Sequence, residues 1–243
     1  PDVRTKVARN LLNEYGYFRG ETSYALVPDK KDPRKAKIAY QVEMNAPYTI
    51  DSVRYVRMRN RVDSVLPRAA KERLLKRGDN FNVVRLQAER ERVASVLRDN
   101  GYFYFRPEYL VYQADTSLVP GKVSLRVVPK SGIPLNAVRP WKLGRVDFYL
   151  NGYNNEQPTD SVRYKELTIF YEGKLRMRPS VLYNRLYFKP GDRYSETAQS
   201  RSQTALARLG VFRYSEFQYV PRDTTRRQDT LDLRIQSVYD LPL

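Results

Sequence analysis

Aromatic and basic side chains are interleaved in two short stretches of the sequence, and these residues are the best suited to bind a partner. The first stretch contains Tyr102, Tyr104, Arg106, Tyr109 and Tyr112. The second contains Arg213, Tyr214, Phe217 and Tyr219. If such a stretch forms the edge strand of a sheet, its unpaired backbone groups can pair with an extended peptide. The same aromatic rings could instead stack on the bases of single-stranded nucleic acid, with arginine nearby.

Pro107 lies inside the first stretch and has two opposed interpretations. Proline lacks a backbone N–H, so an interior proline is typical of an edge strand. The same proline can protect that edge against pairing. For the nucleic-acid alternative, no aromatic motif of the RNA-recognition type and no concentrated basic groove accompanies the tyrosines.

The composition excludes several kinds of catalysis. The chain contains no His and no Cys, which excludes an imidazole base, a thiolate nucleophile and His- or Cys-bound metals. No glycine-rich phosphate loop and no carboxylate cluster of calcium-loop spacing occurs. Lysine–serine or paired-carboxylate sites remain open, but no spacing selects a pair. We therefore predict a protein that is not an enzyme and has no cofactor, metal or small-molecule substrate.

The net charge is strongly positive. Lys and Arg number 44 against 27 Asp and Glu, a formal net charge of +17. Such a charge attracts nucleic acid, an anionic membrane face or an acidic protein. No basic run exceeds pairs such as Lys30-Lys31 and Arg226-Arg227, so a solvated basic surface explains the charge equally well. No apolar run approaches the ~20 residues of a membrane-spanning helix.

The elements that carry these residues belong to an internal repeat. Three amphipathic segments end at a glycine and continue into an aromatic stretch, at 11–18, 96–103 and 205–212. The glycines are Gly16, Gly101 and Gly210. The residue just past a helix end often adopts a left-handed conformation, and glycine can do so without a steric clash of a Cβ atom. Two strands joined by a proline-containing polar tip (28–33, 115–122 and 221–229) follow each glycine, and alternation in 123–128 and 231–236 indicates sheets with one buried face.

An upstream half also repeats in the second and third copies. The turns at 76–81 and 189–194, which contain Gly78 and Gly191, follow short helices predicted at 66–75 and 180–187 and strands at 50–57 and 167–171. The sequence separation between Gly191 and Gly210 is about one helical turn shorter than that between Gly78 and Gly101. This difference predicts that the long helix of the third copy is shorter than that of the second. The third copy has an addition: 144–150 and 163–171 are predicted as strands joined by the loop 151–160.

The predicted fold class is α+β, with tandem β-α-α-β-β units that each pack a mixed three-stranded sheet on two helices. The predicted domains are a partial unit at 1–49, a complete unit at 50–133, and a complete unit with an extra N-terminal strand at 134–243. The partial unit lacks its opening strand and short helix, so Pro1 is expected to be an end inside a domain. Trp141 is predicted to pack at a hinge between units.

This repeat resembles the polypeptide-transport-associated (POTRA) domains of outer-membrane assembly factors of the BamA and TamA type. The resemblance is carried by Gly16-Tyr17-Phe18, Gly101-Tyr102-Phe103, Gly210-Val211-Phe212 and the turns at Gly78 and Gly191. It implies a periplasmic arm attached to the outer membrane through a C-terminal barrel that this chain does not include.

The resemblance also implies partners. Unfolded outer-membrane β-barrel proteins, accessory periplasmic proteins and lipoproteins are expected to bind by strand pairing and to the basic surface, and an anionic membrane surface is a further candidate. The alternative that stays open is a module that binds single-stranded nucleic acid through basic and tyrosine-rich sheet surfaces.

Overall fold

A computed structural model describes residues 1–29, 34–152, 158–222 and 229–240. The predicted loop 151–160 and the predicted tips 28–33 and 221–229 lie partly outside these ranges. Five α-helices are described: α1 (Asp2–Glu14), α2 (Leu66–Lys71), α3 (Val83–Asp99), α4 (Pro179–Tyr183) and α5 (Glu196–Ala207). Ten strands are described: β1 (Glu21–Pro28), β2 (Ala36–Glu43), β3 (Thr49–Tyr55), β4 (Leu110–Asp115), β5 (Lys122–Pro129), β6 (Lys142–Asn151), β7 (Asp160–Tyr164), β8 (Leu167–Tyr171), β9 (Phe212–Pro221) and β10 (Thr230–Tyr239).

The chain divides into two compact units. The first comprises residues 1–59, 66–93 and 107–132, and the second comprises 60–65, 94–106 and 133–243. The first unit contains the antiparallel pair β1–β2 beside α1, and a sheet of order β3-β5-β4. In that sheet β3 is parallel to β5 and β4 is antiparallel to it.

The second unit contains a five-stranded sheet of order β7-β8-β6-β10-β9. Strand β6 is parallel to both β10 and β8, whereas β7 and β9 are antiparallel to their neighbours. The core contains fully buried side chains from the central strands and from α4 and α5, among them Phe148, Ile169, Leu182, Leu206 and Ile235. Burying each such side chain contributes about 1.5–3 kcal/mol to stability.

The α+β class with mixed sheets is confirmed. The sheet of the second unit has five strands, which is more than predicted. The predicted strand 163–171 is wrong as one strand, because a two-residue turn at Lys165 and Glu166 divides it into β7 and β8; Lys165 has a φ of +52°. Strand β6 pairs with β10 as β3 pairs with β5. The addition to the unit is therefore the β7–β8 hairpin, and not the strand predicted at 144–150.

The strand predicted from Tyr102 to Tyr112 is wrong in its first eight residues, because β4 begins at Leu110. Residues 102–106 form a turn in which the Phe105 N–H donates to the Tyr102 carbonyl at 2.9 Å, and Pro107–Tyr109 form a 3₁₀ helix. Burial of Tyr102 and Phe105 holds this turn. Pro107 consequently neither occupies nor protects an edge strand.

Glycines end the long helices as predicted. After α1 and α3, Gly16 and Gly101 have φ of +85° and +98°, and the N–H of the following tyrosine donates to the carbonyl five residues back. Positive φ is also found at Gly78, Gly191 and Gly210. Helix α3 has 17 residues and α5 has 12, which confirms that the third long helix is shorter.

Candidate partner-binding edges

Strands β4 and β9 are open edges of their sheets. Among the described strands, β4 pairs only with β5, and β9 pairs only with β10. Strand β9 has ten residues and β4 has six. An open edge presents a row of backbone donors and acceptors that an extended chain can pair with, and β9 offers the longer row.

The predicted residues of β9 are divided between its two faces. Phe217 and Tyr219 face the core: the Phe217 ring packs edge-on against Phe188 with centroids 6.2 Å apart, and Tyr219 packs against Tyr194 at 5.3 Å. Burial raises the pKa of Tyr219. Tyr214 is half exposed, and Arg213 is exposed beside the carboxylate of Asp240 at 3.9 Å. Arg213 and Tyr214 are thus accessible to a partner.

The predicted residues of the first stretch are not brought together on one strand. Tyr102 is 2% exposed and its hydroxyl donates to the Arg61 carbonyl at 2.6 Å. Tyr104 packs edge-on against Trp141 at 5.2 Å. Arg106 is exposed before the 3₁₀ helix that contains Tyr109, and only Tyr112 lies in β4. These five residues therefore do not form one edge, nor one exposed platform for stacking bases.

Tyr112 belongs to a buried polar cluster around Glu89, which sequence reasoning missed. Glu89 is fully buried on α3 and accepts a hydrogen bond from the Tyr55 hydroxyl, one from the Leu74 N–H at 2.8 Å, and two from the Arg92 guanidinium at 2.7 and 2.9 Å. Burial and, secondarily, the Glu89 charge raise the pKa of Tyr112. The Tyr112 hydroxyl is buried without a hydrogen-bond partner. This cluster fixes the inner face of the sheet that carries β4.

A second polar cluster in the other unit was also missed. At the N-terminus of α5, the Asp99 carboxylate accepts from the Thr197 N–H at 2.7 Å and from the Ser195 hydroxyl at 3.0 Å. The neighbouring Glu196 accepts from the Arg98 guanidinium at 2.8 Å and from the Ser95 hydroxyl at 2.7 Å. A carboxylate at this position satisfies free backbone donors and interacts favourably with the helix dipole. The cluster therefore positions α5, which leads through Gly210 into β9.

Within residues 1–29, 34–152, 158–222 and 229–240, no three carboxylates converge in a way that could hold a metal ion. No helix in these ranges is both long and apolar enough to cross a bilayer.

Solved structures with a similar fold exist. No protein-family model and no curated protein sequence matches the chain. The crystal structure of POTRA domains 3–5 of BamA from Haemophilus influenzae is 14% identical, with a TM-score of 0.51 over 98% of this chain and 79% of that chain. The structure of BamA from Haemophilus ducreyi lacking POTRA domains 1–3 is 16% identical, with a TM-score of 0.54 over 79% of this chain and 29% of that chain.

At these identities the likeness shows the fold. The chain accordingly has the fold of tandem polypeptide-transport-associated domains.

Proposed function

We propose that this chain is a periplasmic arm of an outer-membrane protein assembly or translocation factor, and that it binds extended segments of unfolded outer-membrane proteins at the open edge of β9. The arm has no catalytic role of its own, and a C-terminal barrel anchors it to the outer membrane. The single observation that carries the proposal is the open edge of β9, which pairs only with β10 among the described strands and is longer than the open edge of β4.

Strand β9 suits this role better than β4. Its ten residues reach Pro221 without an internal proline, and they exceed the six residues of β4. Backbone pairing gives affinity that tolerates many sequences, which suits a factor that handles many substrates. The exposed charges of Arg213 and Glu216 oppose uncontrolled pairing between copies of the chain.

Cysteine cross-linking can test this proposal directly, because the chain has no cysteine of its own. Single cysteines replace Tyr214 or Glu216, and a ten-residue strand peptide from an outer-membrane barrel protein carries one cysteine moved along its length. Paired residues in a sheet lie within disulfide reach. We expect each variant to cross-link to alternate peptide positions, and the preferred position to move by two between Tyr214→Cys and Glu216→Cys.

The matched control is Ser200→Cys, which exposes a cysteine on α5 of the same unit. Cross-linking at Ser200→Cys equal to that on β9, or yields independent of peptide position, would contradict strand pairing. If Gln113→Cys in β4 cross-linked to alternate peptide positions and neither variant in β9 did so, the binding edge would be β4 and not β9.

A further inference from the structure

The second unit has a basic cleft of about 500 Å³ at the end of the sheet where β6 and β10 begin. Its walls include Lys142 and Arg145 of β6, Arg163 of β7 and Arg222, which follows β9. Among the described residues that line it, Glu166 is the only carboxylate and none is aromatic. We call these features together the basic cleft.

A β-bulge builds the floor of the basic cleft. The register between β6 and β10 shifts so that Gly144 and Arg145 together lie opposite Asp232. The Arg145 N–H donates to Asp232 Oδ1 at 2.7 Å. A Cβ atom on Gly144 would lie 2.2 Å from the same oxygen, so only glycine leaves space for the Asp232 carboxylate. Bulges commonly redirect a side chain, and this one directs Arg145 into the cleft.

Asp232 is a charge partner for two of the four cations. Arg222 donates to both of its carboxylate oxygens, at 2.6 to 3.2 Å, and Arg145 approaches it at 3.6 Å. Among the described residues, no carboxylate lies within 4.0 Å of the charged groups of Lys142 or Arg163. After Asp232 and Glu166 are counted against the four cations, the cleft keeps an excess of two positive charges.

The fold itself does not require these charges. The same bulge occurs in the first unit between β3 and β5, where Asp51 is the extra residue. By strand register, Thr49 and Ser52 take the places of Lys142 and Arg145, and Ser124 takes the place of Asp232. The bulge is therefore a property of both sheets, whereas Lys142 and Arg145 have uncharged counterparts in the first unit.

We infer that the basic cleft binds the side-chain carboxylates of an acidic, extended segment of a partner protein. This inference rests on the proposed function for the statement that the partner is a protein. Guanidinium groups bind carboxylates with matched geometry, and Arg222 already holds the carboxylate of Asp232 in this way.

Two other anionic partners fit less well. Nucleic acid is disfavoured because the described residues of the walls include no aromatic ring for stacking. A membrane surface is disfavoured by position: β10 runs ten residues from the cleft to Tyr239, a distance of about 33 Å. Under the proposed function the membrane lies beyond that far end of β10.

The test replaces Lys142 and Arg145 by the residue types at the equivalent positions of the first unit, in the double variant Lys142→Thr/Arg145→Ser. The control variant Arg185→Ser/Arg208→Ser removes two exposed charges elsewhere in the second unit. The probe is a fluorescently labelled hexaglutamate peptide, titrated by anisotropy at about 0.1 M salt, where distant charges are largely screened. Oligothymidylate of equal charge and phosphatidylglycerol vesicles are titrated in parallel, and circular dichroism verifies folding.

We expect the cleft variant to bind hexaglutamate at least about tenfold more weakly than the wild type, and the control variant to change binding less than about threefold. Equal losses in both variants would overturn the inference in favour of non-specific attraction. Cleft-dependent binding of the oligonucleotide or the vesicles, without cleft-dependent peptide binding, would also overturn it. The cross-linking test on β9 uses neither cation, so failure there and failure here are distinguishable.

Discussion

The backbone N–H of Trp141 donates a hydrogen bond of 2.7 Å to the carbonyl oxygen of Gly101. In the first unit, the N–H of Tyr48 donates to the carbonyl of Gly16 at 2.8 Å in the same way. In both cases the glycine ends a long helix, and the aromatic residue directly precedes the next parallel strand, β3 or β6. The helix end of one repeat is thereby tied to the first strand of the following repeat.

Aromatic rings pack near both of these hydrogen bonds. Phe18 packs against Tyr48 and Phe81, each at 5.1 Å, and Phe103 packs against Tyr194 at 4.8 Å. Trp141 is almost fully buried, and its indole N–H donates to the Asn136 carbonyl at 2.9 Å. Its side chain is thus held by packing and one hydrogen bond, with no polar group left for a ligand.

We predict that Gly101→Val destabilises the second unit by about 1–3 kcal/mol. Gly101 has a φ of +98°, and a Cβ atom there would lie 3.2 Å from the Trp141 carbonyl oxygen and 3.2 Å from the Pro140 Cβ. Fluorescence of Trp141, the single tryptophan, reports unfolding in urea.

Gly210→Val is the matched control for the contact contribution. Gly210 also has a positive φ, of +67°, but a Cβ atom there would meet nothing within 4 Å. We expect it to lose less stability than Gly101→Val, since only the backbone strain applies. Equal losses at the two positions would show that the contacts at Gly101 are without energetic effect.

The second prediction concerns Glu89. Replacing Glu89 by Ala leaves the Arg92 guanidinium, which is 18% exposed, without its carboxylate. Breaking a buried ion pair in this way costs about 3–5 kcal/mol. Because Trp141 lies in the other unit, hydrogen exchange of the α3 amides 83–93 is the appropriate measurement.

Glu91→Ala tests the same helix at an exposed position. We expect it to change stability by no more than about 0.5 kcal/mol. If Glu89→Ala and Glu91→Ala accelerate amide exchange equally, then the Glu89 cluster does not stabilise the unit.

Local pattern and spacing were sufficient to predict the repeat. Alternation in 123–128 and 231–236 identified β5 and β10, and the glycine spacing predicted the relative lengths of α3 and α5. These features depend on neighbouring residues alone. Glu89 was also within reach, because it follows Leu86 by three positions on the buried stripe of α3, where an acidic residue indicates a buried partner.

Two other features that were missed depend on residues distant in sequence. Aromatic residues favour strands, so the local sequence of 102–106 predicts a strand. The turn found there depends on the burial of Tyr102. The approach of Asp232 to Arg145 depends on a bulge between strands that are 87 positions apart at this contact. Neither relationship leaves a local signal in the sequence.

The third prediction is a loss of stability at alkaline pH. Burial, followed by the charge of Glu196, raises the pKa of Tyr194 to about 12. An exposed tyrosine titrates near pH 10. Since the folded-state pKa is the higher one, the stability contributed by the neutral phenol is complete below about pH 10. It is lost as the pH rises from about 10 to 12, by roughly 1–3 kcal/mol.

Tyr194→Phe separates this effect from ordinary alkaline unfolding. The variant lacks the hydrogen bond from the Tyr194 hydroxyl to Gln199 at 3.0 Å, so it should be about 1 kcal/mol less stable than the wild type at pH 8. By about pH 11.5 we expect the difference to shrink and reverse. A difference that is constant between these pH values, measured by urea unfolding, would contradict the raised pKa.

The fourth prediction concerns the carboxylate of Asp99 at the N-terminus of α5. Asp99→Ala removes the acceptors of the Thr197 N–H and hydroxyl and of the Ser195 hydroxyl. We expect a loss of about 1–2 kcal/mol, as for removal of a helix cap. The measurement is urea unfolding followed by Trp141 fluorescence.

Asp99→Asn divides this loss into two parts, because the amide oxygen still accepts hydrogen bonds but carries no charge. The charge contributes about 0.3–1 kcal/mol through the helix dipole, and salt screens that contribution. The difference between wild type and Asp99→Asn should therefore decrease from low salt to about 1 M. The difference between Asp99→Asn and Asp99→Ala should remain, since hydrogen bonds to a neutral acceptor are not screened in the same way. If Asp99→Asn and Asp99→Ala were equally stable at every salt concentration, Asp99 would act on α5 through its charge alone, and its hydrogen bonds to Thr197 would not contribute.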